Sequence, residues 1–208
     1  MNNLGKALYE QALQTKISFG QPRRPNAVVI ENAAIYKRNF KGADQKITPK
    51  DGGRSFVKKG RRFTLALTEE TMSMLCNAKG NCSYNVWAFG GEEEPDLKLY
   101  CVEVLVNMAS SYPPNALLFT KTKSGKWDIS EPLTDTSISI LDEVDYMNIE
   151  RVDLVLNAYD KDKDGNFTLY LNSIKMSQKY IEDSDDYWSA NAHLENESPK
   201  SGDDPNID

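Results

Sequence analysis

Residues 27–40, AVVIENAAIYKRNF, have the composition of a β-strand that ends in a basic and aromatic segment. Residues of one parity carry most of its apolar and aromatic side chains: Val28, Ile30, Ala34, Tyr36 and Phe40. Residues 54–67, RSFVKKGRRFTLAL, repeat this pattern, with Phe56 and Phe63 among basic or polar neighbours. Since β-branched and aromatic residues favour strands, the two segments predict a long antiparallel hairpin with a basic region.

The rest of the chain adds more strands and two helices. Residues 4–14 have the three- and four-residue apolar spacing of a short helix, and Thr68 and Gly80 are suitable caps for a second. The further strand candidates are SYNVWAFGG (83–91), LKLYCVEVLVNM (97–108), NALLFTKT (115–122), VDLVLNAY (152–159) and FTLYLNSIKMSQ (167–178). About seven short strands around one internal helix favour a mainly β fold, a single antiparallel barrel or sandwich.

Composition divides the chain into three parts. Pro22 and Pro25 end the first helical pattern and, with Arg23 and Arg24, predict an N-terminal helix and basic arm over residues 1–26. Residues 27–180 form the predicted β domain. Residues 181–208 are rich in Asp, Glu, Ser and Asn with few aliphatic side chains, which predicts a flexible acidic tail.

Charge is distributed unevenly along the sequence. The net charge is -6, yet residues 1–68 hold 14 Lys and Arg against 4 Asp and Glu, whereas residues 181–208 hold 1 against 9. Clustered cations inside an acidic protein indicate a local surface for polyanions, although a solvated charged face gives the same composition. The tail either confers solubility or contacts basic partners and competes with nucleic acid.

Residues 160–165, DKDKDG, begin like a calcium-binding EF-hand loop. The twelfth position of that loop would be Leu171, which cannot supply the closing carboxylate, and the flanks are strand-like. A hairpin turn at Asp164 and Gly165 is the better interpretation, with weak calcium capture left open.

The sequence contains no clear catalytic or metal-binding residues. The single histidine, His193, lies in the tail, and Cys76, Cys82 and Cys101 lack metal-ligand spacing. Asp142, Glu143 and Asp145 are more typical of a solvated loop than of a metal site. We therefore predict no catalytic residue, no metal and no cofactor, and the absence of a leader-like segment predicts a soluble, intracellular protein.

A succession of six segments carries a family resemblance: IENAAIYKRNFKG (30–42), GRRFTLALTEETMSML (60–75), LYCVEVLVN (99–107), PPNALLFTKTK (113–123), ILDEVDYMNIERVDLVLNAY (140–159) and GNFTLYLNSIKMS (165–177). Their order and spacing resemble bacteriophage and prophage single-stranded DNA-binding proteins. Residues 80–91, GNCSYNVWAFGG, depart from the GWNVK element common in that family, because the tryptophan is shifted and the lysine is absent.

The resemblance implies an OB-fold, a five-stranded Greek-key barrel with an inserted helix. It also implies a non-enzymatic protein that coats single-stranded DNA (ssDNA) in replication or recombination, in the cytoplasm of the host cell, with the tail contacting other replication or recombination proteins. OB-folds bind ssDNA through a basic groove and through aromatic faces on which bases stack. The implied ssDNA-binding residues are Tyr36, Lys37, Arg38, Phe40, Lys41, Arg54, Phe56, Lys58, Lys59, Arg61, Arg62 and Trp87.

Three questions stay open at this point. Phe63 and Tyr170 are predicted to be core residues, whereas Phe40 is suited equally to base stacking and to the core. Whether the protein is a monomer or a homodimer is not determined. The alternative function is a phage structural or protein-interaction β-domain whose basic hairpin is simply a solvated face, and a metal-dependent nuclease that uses the acidic loops is a weaker one.

Overall fold

The computed structural model describes residues 3–21, 24–48, 54–91, 94, 96–121, 127–133, 144–159 and 165–178. The predicted acidic tail at 181–208, the aspartates at 160–164, and Asp142 and Glu143 lie outside these residues. The elements in chain order are α1 (Asn3–Leu13), β1 (Lys16–Gln21), β2 (Arg24–Glu31), β3 (Ala34–Asn39), β4 (Gln45–Ile47), β5 (Phe56–Lys58), β6 (Arg61–Leu67), α2 (Glu69–Lys79), β7 (Tyr84–Ala88), β8 (Lys98–Val106), β9 (Asn115–Lys121), β10 (Trp127–Leu133), β11 (Ile149–Tyr159) and β12 (Thr168–Gln178).

Ten of the described strands form one sheet, and β4 and β5 form a separate two-stranded hairpin. The order in the large sheet is β1-β2-β11-β12-β8-β6-β3, with β7 beside β8, β9 beside β12 and β10 beside β9. The predicted mainly β fold is confirmed. The sheet is mixed rather than wholly antiparallel, because β12 pairs antiparallel with β11 on one edge and parallel with β8 and then β9 on the other.

The sheet curls but does not close into a barrel in the part that the structure describes. β2 pairs with β11, and β3 lies at the far end of the strand order, yet only Asn32 and Ala33 separate β2 from β3. The N–H of Asn32 donates to Asp153 Oδ1 at 2.9 Å, and the N–H of Ala33 donates to the carbonyl of Val152 at 2.7 Å. A two-residue link can span only about 10 Å, so β3, at one end of the strand order, approaches β2, the second strand from the other end. The OB-fold assignment itself stays a prediction.

The main core fills the inner face of the curled sheet. Alternate residues of the central strands point into it and are fully buried: Val28, Ile30, Phe63, Leu65, Val104, Leu154, Leu156 and Leu169. Met72 and Leu75 of α2 pack against the same cluster. Phe63 is therefore a core residue, as predicted.

A smaller cluster lies on the outer face of the sheet, beneath α1. Leu8 and Ala12 of the helix pack against Ala34, Ala66 and Leu99 of the sheet. A Cβ added at Gly5 would lie 2.6 Å from the Phe89 ring, so glycine permits the close approach of the helix. Because α1 covers only part of the outer face, the neighbouring part of that face stays accessible.

Both predicted helices are confirmed. The hydroxyl of Thr68 accepts from the N–H of Thr71 at 3.3 Å, and the φ of Gly80 is 98° at the C-cap of α2. An N-cap of this kind stabilises a helix by about 1 kcal/mol. No helix among the described residues is long and apolar enough to cross a membrane.

The predicted N-terminal arm contains part of the sheet. β1 pairs with β2, with Ile17 opposite Ile30 and Phe19 opposite Val28. The apolar residues of this short strand pack against the main core, which the nearby prolines obscure in the sequence. Pro25 is tolerated because it precedes Ala27, the first residue of β2 that pairs with β11.

Candidate nucleic-acid interface

A cleft of about 1020 Å³ crosses the outer face of the sheet. Its floor is formed by β3, β6, β8 and β7, with α1 on one side and the β4–β5 hairpin on the other. Six of the predicted ssDNA-binding residues line it: Tyr36, Lys37, Arg38, Lys58, Arg62 and Trp87. We call it the cationic cleft, because four of these side chains are cationic and only two carboxylates, Glu103 and Asp145, join them in the lining.

Two aromatic rings stack in the cationic cleft. The centroids of Tyr36 and Trp87 are 5.6 Å apart and their planes differ by 29°. Both side chains are half-buried, and Trp87 also meets Phe89 edge-on at 6.1 Å. Burial and a hydrogen bond with Cys101 raise the pKa of Tyr36, so its hydroxyl stays neutral. Paired, partly exposed rings of this kind offer an uncharged stacking surface.

A β-bulge in β3 brings two consecutive cations to the cationic cleft. Tyr36 pairs with Thr64 and Asn39 with Arg62, so β3 has one residue more than β6 between these pairs. Lys37 occupies the bulge with a φ of 47°, a conformation that costs a non-glycine residue roughly 1 to 3 kcal/mol. In a regular strand, Lys37 and Arg38 would point to opposite faces. The bulge lets both line the cleft.

The environments of these two cations differ. Lys37 is exposed, and its Nζ lies 5.4 Å from the centroid of the Tyr36 ring. Arg38 is half-buried, and its burial lowers the pKa of the guanidinium while the nearby Asp145 opposes that shift. Lys37 is therefore the more accessible of the two charges.

The bulge also explains why Phe40 is a core residue. Without it, Phe40 would share the outer face with Tyr36, but the extra residue reverses the parity. Phe40 is 1% exposed and stacks on Phe63 at 5.5 Å. Its backbone N–H donates to Asp145 Oδ1 at 2.7 Å. The expectation that Phe40 contacts DNA is corrected: its ring cannot reach a base.

An ion-pair network crosses the floor of the cationic cleft. Glu103 on β8 binds Lys58 Nζ at 2.5 Å and Arg62 Nη1 at 3.4 Å. Arg62 is only 8% exposed and also donates to the carbonyls of Lys59 and Gly60. Arg62 therefore holds the strand end in place, whereas Lys58 is one-third exposed and able to exchange Glu103 for another anion.

Glu103 was missed in the sequence, where its signal is an acid between Val102 and Val104 in an apolar strand. We expect Glu103→Gln to raise the affinity for a polyanion about fivefold, because it removes a carboxylate that competes for Lys58. The free energy of unfolding should fall by about 1 kcal/mol, since the pair is partly exposed and the amide still accepts from Arg62.

Titration with labelled oligothymidine and thermal unfolding would measure both effects. Glu150→Gln, at an exposed acid on β11, is the matched control. Equal affinities of the two variants would contradict the competition between Glu103 and a bound anion.

The remaining predicted residues lie outside the lining of the cationic cleft. Lys41, Arg54 and Lys59 are exposed, and the ring of Phe56 is 48% exposed on the β4–β5 hairpin. Arg61 donates to the carbonyl of Phe40. None of these five residues belongs to the lining of the cleft.

The described residues contain no group of three or more His, Cys, Asp or Glu arranged to hold a metal ion. Of the three acids in the predicted loop, Asp145 alone lies among the described residues. Its carboxylate accepts from the N–H groups of Phe40 and Lys41 at 2.7 and 3.1 Å. Asp145 therefore fixes the backbone after β3.

Comparison with known proteins gives one family match and several structural ones. A family model described as "Putative phage ssDNA-binding domain" matches residues 19–205. The single-stranded DNA-binding protein from bacteriophage Enc34 in complex with ssDNA is 12% identical with a TM-score of 0.40, over 75% of this chain and 88% of that chain. A C-terminal truncation of the Enc34 protein is 12% identical with a TM-score of 0.39, over 80% and 97%. No curated protein matches the chain.

Proposed function

The chain belongs to the phage ssDNA-binding domain family, which its match over residues 19–205 shows, and from that premise we propose that it binds ssDNA in the cationic cleft. One observation supports this site above all: two half-buried aromatic rings and four cationic side chains line one cleft. Cations neutralise phosphates and rings stack on bases, which is how proteins bind single strands without sequence preference.

The proposal extends to the role of the protein. It coats exposed ssDNA during phage DNA replication or recombination, in the host cytoplasm, and acts without catalysis. Stacking is worth ~1 to 3 kcal/mol per base, and every base has a face to offer, so affinity depends weakly on sequence. Lys37 and Lys58 make the phosphate contacts, and Arg62 supports them from the floor.

Parallel elution from an ssDNA column and from heparin tests this function against a protein-interaction domain. We expect the protein to stay on the ssDNA column at ~0.2 M salt, a concentration that already elutes it from heparin. Both ligands attract the basic side chains, but only ssDNA has bases that stack on aromatic rings. Elution from both columns at the same low salt would favour the protein-interaction alternative.

The acidic tail is proposed to contact partner proteins and to compete with DNA for the cationic cleft. Deletion of residues 182–208 should tighten oligothymidine binding about fivefold at low salt and leave the fold intact, because nine acids leave with one lysine. A full-length control with the tail acids replaced by their amides should show the same gain. Loss of the folded state in the truncated chain would instead make the tail structural.

A further inference from the structure

A second cleft, of about 750 Å³, lies at the start of β2, the adjoining ends of β11 and β12, and the loop that follows β8. Three tyrosines line it, so we call it the tyrosine cleft: Tyr112, Tyr159 and Tyr170. Tyr112 is 91% exposed and Tyr159 is 45% exposed, which is unusual for large rings in a cleft. Tyr170, predicted to be core, is half-buried because it points outward between the buried Leu169 and Leu171.

The polar groups of the tyrosine cleft suit nucleobases better than phosphates. Among the described residues that line the tyrosine cleft, four are asparagines, Arg24 is the one cation, and none is acidic. Arg24 Nη1 donates to Asn172 Oδ1 at 3.1 Å, so the guanidinium is held against the wall. Asparagine offers both a donor and an acceptor to base edges, and tyrosine offers a face for stacking.

One rung of the sheet connects the two clefts. Arg62 on β6 is paired with Leu105 on β8, Leu105 with Tyr170 on β12, and Tyr170 with Asn157 on β11. Paired residues share a face of a sheet, so all four point to the outer face. Three strand spacings separate the first from the last, or about 14 Å. The cationic cleft and the tyrosine cleft therefore lie on one continuous outer surface.

We propose that a bound single strand leaves the cationic cleft, crosses Leu105 and places its next bases on Tyr112, Tyr159 and Tyr170. This inference rests on the proposed function and adds a second set of contacts to it. The cationic cleft holds phosphates as well as bases, whereas the tyrosine cleft holds mainly bases. A path across these four strands agrees with the ~4 to 16 nucleotides that a single OB-fold contacts.

The test is a double variant, Tyr112→Ala with Tyr159→Ala, titrated with labelled oligothymidines of two lengths. For a ~16-nucleotide strand, which reaches both clefts, we expect about tenfold weaker binding with an unchanged salt slope, because no phosphate contact is lost. For a ~4-nucleotide strand, which fills only the cationic cleft, affinity should be unchanged. Tyr146→Ala, at a tyrosine that is 84% exposed and lines neither cleft, is the control.

The two proposals fail in different ways. If the parent protein binds the longer strand and the double variant binds it equally well, the tyrosine cleft is not a DNA surface, and it becomes a candidate protein contact. If the parent protein binds neither strand, the proposed function fails, and this inference fails with it.

Discussion

The variant with Lys37→Glu and Lys58→Glu is expected to bind oligothymidine on the order of a hundredfold more weakly than the parent protein at ~0.1 M salt. Both lysines line the cationic cleft: Lys37 is exposed, and Lys58 is partly exposed with its ammonium group paired to Glu103. Each lost phosphate contact also removes ~0.7 from the slope of log affinity against log salt, and reversal adds repulsion. A second carboxylate beside Glu103 would strengthen that repulsion.

The matched control is Lys16→Glu with Lys175→Glu. These lysines are exposed, lie on β1 and β12, and line neither cleft, so net charge changes equally. A loss of no more than about threefold is expected, since only the overall field changes. Equal losses in both double variants would mean that total charge, and not the cationic cleft, determines binding. Thermal unfolding would confirm that each variant is folded.

Replacement of Trp87 by alanine should weaken binding roughly tenfold to a hundredfold at every salt concentration. Stacking of a base is worth ~1 to 3 kcal/mol, and the indole is the largest ring in the cationic cleft. The salt slope should not change, because no cation is lost. The unchanged salt slope distinguishes this variant from Lys37→Glu with Lys58→Glu, for which the slope should fall.

Trp87→Phe separates stacking from packing. Phenylalanine keeps a ring next to Tyr36 and Phe89, and we expect it to retain most of the affinity that alanine loses. If both variants bind like the parent, Trp87 serves the packing of β7 alone. If alanine lowers the salt slope as well, the loss comes from displaced cations.

The parts of the fold that follow from local pattern were predictable. Thr68 and Gly80 delimit α2, and the alternation in β6 places Phe63 and Leu65 inside. Which strands pair with each other was not predictable, because the parallel pairing of β12 with β8 and β9 joins segments that are far apart in sequence. The short β1 is another such case, since its burial depends on contacts with the main core.

The candidate site shows the same division. Composition identified the basic and aromatic residues, but a single extra residue at Lys37 decides which of them share a face. That bulge brings Lys37 into the cationic cleft beside Arg38 and places Phe40 in the core. Arg62 looks like a DNA contact in the sequence, yet it is buried and paired with Glu103, which is 41 residues away. The tyrosine cleft was missed because Tyr112 is far in sequence from Tyr159 and Tyr170, which lie on the paired strands β11 and β12.

The most direct test of DNA coating is an anisotropy titration of a labelled ~30-nucleotide oligothymidine across a salt series, with duplex DNA of the same length as competitor. DNA coating predicts that the single strand is preferred over the duplex, and that log affinity falls with log salt along a slope that corresponds to several phosphate contacts. Absence of binding at low salt, both with residues 182–208 present and with them removed, would contradict it.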